Sequence, residues 1–376
     1  MKILHFVRSC ATDHGAYYYL KKLEKESYKY NLYHYYLAYE KDWNHPNQPS
    51  LCPTLEEIDL NEYFFHIINP DIVHFHDVNS YYVLGKTSIH QSFYDLAFSR
   101  KCIRTIHDYS SIVCPMYFTE GEKHGECQSI LSSNCIGKCL DKDTMDIYMK
   151  YIKSLNRYDC ISYFSDDTEK RINLYNNLYV PKFKLPPLIA PLPLAQPKEN
   201  VIVFSGRVIP QKGVHILLEA LSQMKCQNWR LYIIGSKNAM YFRQLVKLTR
   251  KLDLVNKVIF YDHLPQEELY KIYKKTKVLA FPSISHETYG MSGAEAVAAG
   301  IPVVAFQIDG INEWLQDGVN GRIVERMNID AYAAAMNEIL TDDKVYNIYH
   351  KNAIKWRNML DYQKQVSLLC DMYYSL

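Results

Sequence analysis

The stretch VIVFSGRVIPQKGVHILLEAL, Val201–Leu221, decides how this chain folds. Its four leading apolar residues suit a strand buried on both faces. Ser205, Gly206 and Arg207 close that strand on small residues and a cation. Lys212 follows five residues later, and Gly213 opens an apolar helical pattern that runs to Met224. Strand, polar loop, helix is the repeating unit of an α/β sheet. The alternation continues downstream, predicting strands at Leu231–Ile234, Val258–Tyr261, Val278–Phe281 and Val303–Phe306. Helices are predicted at Tyr241–Leu252, Gln266–Lys275 and Met291–Ala299, the last closed by Gly300 and Pro302. Helical patterns also fill 329–339 and most of 343–375.

Upstream, short apolar runs predict strands at Ile3–Val7, Leu32–Tyr39, Ile72–Phe75, Cys102–Ile106 and Cys160–Phe164. Helical patterns lie after Ala16 and near 83–98 and 144–157. Between the two halves, Pro181–Pro197 holds six of the fifteen prolines, a composition that suits neither a helix nor a central strand. The expected architecture is two doubly wound domains: 1–195, with a cysteine-rich insert at about 110–142, and 198–355. A helix within 356–376 is expected to return to the first domain. The length of 376 residues, 48% hydrophobic, supports a core in each half. A net charge of +2 argues against a nucleic-acid binder. No run of eighteen apolar residues spans a membrane, and the apolar start MKILHFV is too short for a secretory leader. A cytoplasmic location is expected. The 33 tyrosines are read as compositional bias filling half-buried surfaces.

Arg207 and Lys212, at the end of one strand and before a helix, suit a diphosphate. A second segment strengthens that reading: Pro282-Ser-Ile-Ser-His-Glu287-Thr-Tyr-Gly290-Met-Ser-Gly-Ala-Glu295. Gly290 permits a tight turn, and the amides of Gly290, Met291 and Ser292 would open the following helix as an anion site. Glu287 and Glu295 stand on either side of that start, each able to bind hydroxyls, one on a sugar and one on a ribose.

These residues, together with Ala299-Gly300-Ile301-Pro302-Val303-Val304 and Asp309-Gly310-Ile311-Asn312-Glu313, resemble retaining family 4 glycosyltransferases, members of glycosyltransferase group 1 with the GT-B fold. The resemblance is dense from about 200 to 325. It implies a hexosyltransferase-type enzyme that moves a sugar from a nucleotide-diphosphate donor, UDP before GDP, to a glycan, lipid-linked or other hydroxyl acceptor in glycan or polysaccharide biosynthesis. It further implies that Arg207 and Lys212 neutralise the diphosphate and that Gly206 lies beside it. Glu295 would hold the ribose, Glu287 the transferred sugar, and the amides of Tyr289–Ser292 phosphate or sugar oxygens. The base would meet backbone near Val258 and Asp262-His263. His107, followed by Asp108, matches the family's active-site histidine. Gly15 matches the second glycine of its N-terminal loop, with His14 in place of the first. No metal is needed at the diphosphate. Asp141-Lys142-Asp143 is read as a helix cap rather than a metal motif.

A double displacement would need a carboxylate nucleophile, and no third acidic residue has a claim to that place. A front-face route follows, in which the departing diphosphate takes the acceptor's proton. A non-catalytic nucleotide-sugar binder is the alternative, and a metal-dependent hydrolase using His74 and His76 a further one. Cys114, Cys127, Cys135 and Cys139, spaced C-x12-C-x7-C-x3-C, suit a small metal-stapled insert holding zinc or an iron–sulfur cluster, with disulfides or free thiols as the other readings. Lys21, Lys22, Lys25 and Lys29 offer weak peripheral contact with the inner face of a membrane, though Glu24 and Glu26 among them favour a solvated helix face.

Overall fold

The computed structural model describes residues 1–7, 15–38, 62–76, 95–109, 142, 146, 153–174, 178–189, 192–360 and 362–376. The chain divides into two compact units, Met1–Leu188 with Gln363–Leu376, and Ile189–Tyr362.

In the first unit the elements run β1 (Lys2–Val7), α1 (Gly15–Ser27), β2 (Tyr33–Ala38), α2 (Glu62–Ile68), β3 (Ile72–His76), β4 (Lys101–Thr105), β5 (Cys160–Tyr163), α3 (Asp166–Asn173) and β6 (Lys182–Lys184). The six strands form one parallel sheet in the order β2-β1-β3-β4-β5-β6. Because β3, β5 and all of β1 after Lys2 are buried, their sequences read as largely apolar runs, apart from Ser162 and histidines whose place is explained below. One face carries Leu4, Phe6, Val73, Phe75, Cys102 and Ile161 in a single core. Strand alternation turns His5, His74 and His76 to the other face. The proline-rich segment contributes a strand after all. β6 is only three residues long and sits at the sheet's edge, where flanking prolines cost no ladder bond.

The second unit runs β7 (Val201–Ser205), α4 (Val214–Ser222), β8 (Arg230–Ile234), α5 (Ala239–Lys251), β9 (Val258–Tyr261), α6 (Gln266–Tyr273), β10 (Val278–Phe281), α7 (Met291–Ala298), β11 (Val303–Phe306), β12 (Gly321–Val324), α8 (Ile329–Thr341) and α9 (Asp343–Met359). Its sheet is also parallel and six-stranded, in the order β12-β11-β10-β7-β8-β9. Strand order therefore reverses between β7 and β10, and in such sheets ligands bind beyond the carboxyl ends at that reversal. Six of the nine residues of α4 are buried, among them Ile216, Leu217, Leu218 and Leu221. The helix packs against α8 and α5, and each fully buried Leu or Ile there contributes about 1.5–3 kcal/mol.

The last helix, α10 (Tyr362–Tyr374), belongs almost wholly to the first unit. Its Tyr373 is fully buried and bonds His74 through the hydroxyl at 2.7 Å, while the Tyr374 hydroxyl donates to the Tyr30 carbonyl at 2.5 Å.

Candidate active site

The second unit builds its site from the loops after β7 and β10, the two strands at the reversal. Beyond β7 a 3-10 turn, Pro210–Lys212, ends on Gly213 in a left-handed conformation at φ 66° before α4 begins. That glycine is required twice over. A side chain would strain the backbone, and its Cβ would lie 2.0 Å from the Pro282 carbonyl oxygen. The bare backbone lets the two loops dock. The Ile284 amide donates to the Gln211 carbonyl at 3.0 Å. The docking brings Lys212 against Glu287, 75 positions away in sequence, in a direct ion pair. The Ser283 hydroxyl donates to the same Glu287 carboxylate at 2.8 Å.

Glu287 is fixed from behind as well. Its carbonyl rests on Gly310, whose Cβ would come within 2.1 Å of that oxygen. The neighbouring His286 Nδ1 accepts the Asp309 amide at 3.0 Å. The Asp309-Gly310 pair noted in the sequence is thus the floor beneath the acidic loop.

Gly290, left-handed at φ 81°, caps α7. Its carbonyl accepts the Gly293 and Ala294 amides at 3.1 and 3.2 Å, and helix geometry leaves the amides just before them without intrahelical acceptors. Trp314 holds this start in place. Its indole nitrogen donates to the Tyr289 carbonyl at 2.5 Å, and its ring packs where a Cβ on Gly293 would clash at 2.1 Å. Half-buried Met291 and Ser292 open the helix, and Glu295 lies in its second turn. Fully buried Tyr273 neighbours both Glu295 and Ser205. Burial first, then the Glu295 charge, pushes its phenol pKa up.

The structure thus gathers Lys212, Glu287, Gly290–Ser292 and Glu295 onto two adjoining loops. Arg207 stands exposed just past the end of β7, with Gly206 before it. Gly206 matters through its neighbour, because a Cβ on Gly235 at the end of β8 would lie 1.9 Å from the Gly206 oxygen. Val258 is buried at the first position of β9, paired with Leu231 near the start of β8. It therefore lies about 10 Å from the carboxyl end of its strand, where the site's loops are. Val258 is a core residue, and Asp262-His263, beyond the strand's end, are the ones on the site's side. Sequence reasoning also missed Gly235, Tyr273, Ser283 and Trp314, which become legible only once the strands are paired.

In the first unit, Gly15 is the first residue of α1, and the loop before it lies outside the described residues. His107 follows β4, half-buried, its ring edge-on to Phe164 and Tyr19. Its Nε2 lies 2.8 Å from His76 Nδ1. Burial, helped by the Arg104 charge and opposed by Asp108, lowers its pKa to about 3, so the ring is neutral near pH 7. His74 and His76 are buried, and every ring nitrogen is already engaged, with Tyr373, Thr105, His5 and His107. His5, His74 and His76 present ring nitrogens within 4.8 Å of one another. An ion could enter only by breaking those bonds, and the pair does not offer a hydrolase site open to substrate. Cys114, Cys127, Cys135 and Cys139, and likewise Asp141 and Asp143, lie outside the described residues. Lys21 on α1 pairs with Glu24, and Lys29, in the 3-10 turn after α1, donates to Gln363, which uses up part of the basic surface. Among the described residues no helix is long and apolar enough to cross a membrane.

Residues 192–356 match the family model described as Glycosyl transferases group 1. That match lies within the second unit, Ile189–Tyr362. Over 148 residues the chain is 34% identical to an uncharacterised glycosyltransferase of Methanocaldococcus jannaschii, a match covering 39% of this chain and 37% of the relative. It is 33% identical over 150 residues to a D-inositol 3-phosphate glycosyltransferase of Corynebacterium diphtheriae, covering 38% and 35%. These matches thus span little more than a third of either curated relative. Whole-chain likeness comes from solved structures. A sucrose-phosphate synthase from Thermosynechococcus elongatus superposes with a TM-score of 0.77 at 16% identity, covering 100% of this chain and 99% of that one. HepE of Anabaena, solved with UDP and glucose, superposes with a TM-score of 0.74 at 16% identity, covering 100% of both. The two parallel six-stranded sheets with flanking helices are the GT-B fold, and the second unit has its reversal point at β7 and β10.

Proposed function

We propose that the protein is a retaining glycosyltransferase that moves a hexose from a nucleotide-diphosphate sugar to a hydroxyl on a glycan or lipid-linked acceptor. The observation that carries this reading is the docking of two loops at the reversal point, which sets Lys212 and Glu287 beside the start of α7. A diphosphate there meets the Lys212 ammonium, the Arg207 guanidinium and the amides of Gly290–Ser292. Lys212 then exchanges its carboxylate partner for phosphate oxygens, and Glu287, released, accepts hydroxyls of the transferred sugar. Glu295 is assigned the ribose hydroxyls, and His107, neutral, a contact with the donor sugar.

Groups aimed at charge that grows on the leaving diphosphate lower the barrier more than groups that bind the ground state equally. No carboxylate at the site has a claim to act as nucleophile, since Glu287 and Glu295 already have binding roles. The acceptor's proton then passes to the departing phosphate oxygen on the same face, and the anomeric configuration is kept. No metal is assigned to the diphosphate, because cations and amides already supply the positive charge. UDP is favoured as the carrier, a reading supported by HepE, a GT-B structure solved with UDP-glucose.

A panel of UDP- and GDP-sugars, scored for binding, hydrolysis and transfer with and without EDTA, tests the proposal. Turnover of one donor with retained configuration, insensitive to EDTA, is the expected result. Binding without turnover of any donor would leave only a nucleotide-sugar binder.

A further inference from the structure

The polar face of the first sheet carries an unbroken line of imidazoles. His107 Nε2 lies 2.8 Å from His76 Nδ1, and His76 Nε2 lies 3.1 Å from His5 Nδ1. His5 Nε2 lies 2.7 Å from His34 Nδ1, and His34 Nε2 lies 2.7 Å from Ser27 Oγ. The line crosses from the end of β4 through β3 and β1 to β2 and ends on α1. Its interior members, His76 and His5, are fully buried, whereas His107, at the end beyond the strand, is half-buried.

We propose that His76, His5, His34 and Ser27 are positioning residues that lock His107 into a single neutral tautomer, with its proton on Nε2. This inference deepens the proposed transferase reading and rests on it only for the role of His107.

A neutral imidazole has one donor and one acceptor nitrogen. Every contact in the line joins an Nε2 to an Nδ1, or to the serine. The protons must therefore all sit on Nε2 or all on Nδ1 in the rings between, because a mixed arrangement sets two lone pairs or two protons face to face. The far end chooses. Ser27 Oγ also reaches the Glu24 carbonyl at 3.5 Å, and as donor there it must accept from His34 Nε2. His34 then accepts from His5, His5 from His76, and His76 from His107. The ring of His107 is left with Nδ1 as its acceptor.

Burial keeps the line neutral. It lowers the pKa of His5 and His76 well below the ordinary value, of His34 to about 4 and of His107 to about 3. Among the described residues, the charged and titratable groups facing the line include Arg104 from β4, Asp108 beside His107, Tyr19 from α1 edge-on to His107, Glu24 and Lys21 from α1 near His34, and Tyr36 from β2 stacked on His5. Beside it runs a separate branch. His74 bonds Tyr373 and Thr105 at 2.7 and 2.6 Å, and Thr105 bonds Ser162 at 2.5 Å.

The test reads ring nitrogens by ¹⁵N NMR on the full-length protein labelled at histidine, comparing Ser27→Ala with Ser162→Ala. The native protein is expected to show His107 as one Nε2–H tautomer. Ser27→Ala, which deletes only the far hydroxyl, should shift His34 and His107 together and turn His107 into a mixture. It should also lower kcat about tenfold with KM within about twofold, the scale of losing an orienting partner. Ser162→Ala should leave the His107 signals in place. An unmoved His107 in Ser27→Ala, equal movement in both variants, or an Nδ1–H native tautomer would overturn the relay. So would stoichiometric cobalt(II) binding that His5→Phe abolishes. Should Ser27→Ala not fold, Ser27→Cys puts the same question with a weaker partner. A shifted His107 in a protein that turns over no nucleotide sugar would sink the transferase reading and leave the relay standing.

Discussion

The two units share a parallel six-stranded sheet yet furnish their working faces in opposite ways. The second squeezes backbone against backbone. Gly213, Gly235 and Gly310 each occupy a place where a Cβ would fall within about 2 Å of a backbone oxygen, and at Gly293 the neighbour is the Trp314 ring; the resulting loops set charged groups side by side. The first fills the corresponding region with imidazoles, buried or half-buried, neutral and bonded to one another. One face sets charged groups side by side, while the other is lined with imidazoles that burial holds neutral. The difference teaches that similar sheets leave chemistry to a handful of side chains and to the glycines that let loops approach.

Breaking the glycine side of the comparison should have the largest effect. Gly213→Val drives a side chain into Pro282 and separates Lys212 from Glu287, so donor binding and transfer should both become undetectable. Retained binding by calorimetry would show that the docked loops are not needed. Lys212→Ala and Glu287→Ala should each lower kcat/KM about a hundredfold or more, the scale for losing a charge-stabilising group. Arg207→Ala, exposed at the strand's end, should cost less, about tenfold. Equal losses at all three positions would erase the distinction drawn between the paired and the exposed cation.

The imidazole side breaks with acid. A histidine whose folded pKa is depressed gives stability that is complete above the unfolded value of about 6.5 and is lost as pH falls toward the folded value. With His34 at about 4 and His107 at about 3, the window runs downward from pH 6.5, where the unfolded chain takes up protons that the folded unit refuses. Hydrogen exchange at pH 5 against pH 7.5 should therefore show β1–β4 losing protection before β7–β10. The reverse order would contradict the account of the buried line. The smallest effect should come from Tyr273→Phe, which removes one buried hydroxyl beside Ser205 and Glu295. Donor affinity should fall severalfold with the melting temperature nearly unchanged.

Much of the second unit was legible in the sequence because its signals are local. β7, β10 and β11 are apolar runs, Gly290 and Gly213 mark turns, and Lys212 and Glu287 flank helices whose starts show in the pattern. What escaped reading did so for physical reasons. β6 and β12, Lys182–Lys184 and Gly321–Val324, are edge strands, which need no continuous apolar run. The place of Val258 at the first position of β9 was not legible, because a sequence does not show which end of a strand faces the ligand side until the register is known. The histidine line joins residues 7, 29, 31 and 71 positions apart, so strand order alone creates it. His5 and His34 carried no sign of it. His74-x-His76 shows the alternation of a strand but not what its buried face meets.

The central claim is that the Lys212–Glu287 pair and the start of α7 form the diphosphate site. A crystal structure of the full chain with UDP tests it most directly. The account predicts phosphate oxygens on Lys212 Nζ, near Arg207 and on the amides of residues 290–292, with the ion pair to Glu287 opened. Phosphates bound elsewhere, with that pair still closed, would contradict it.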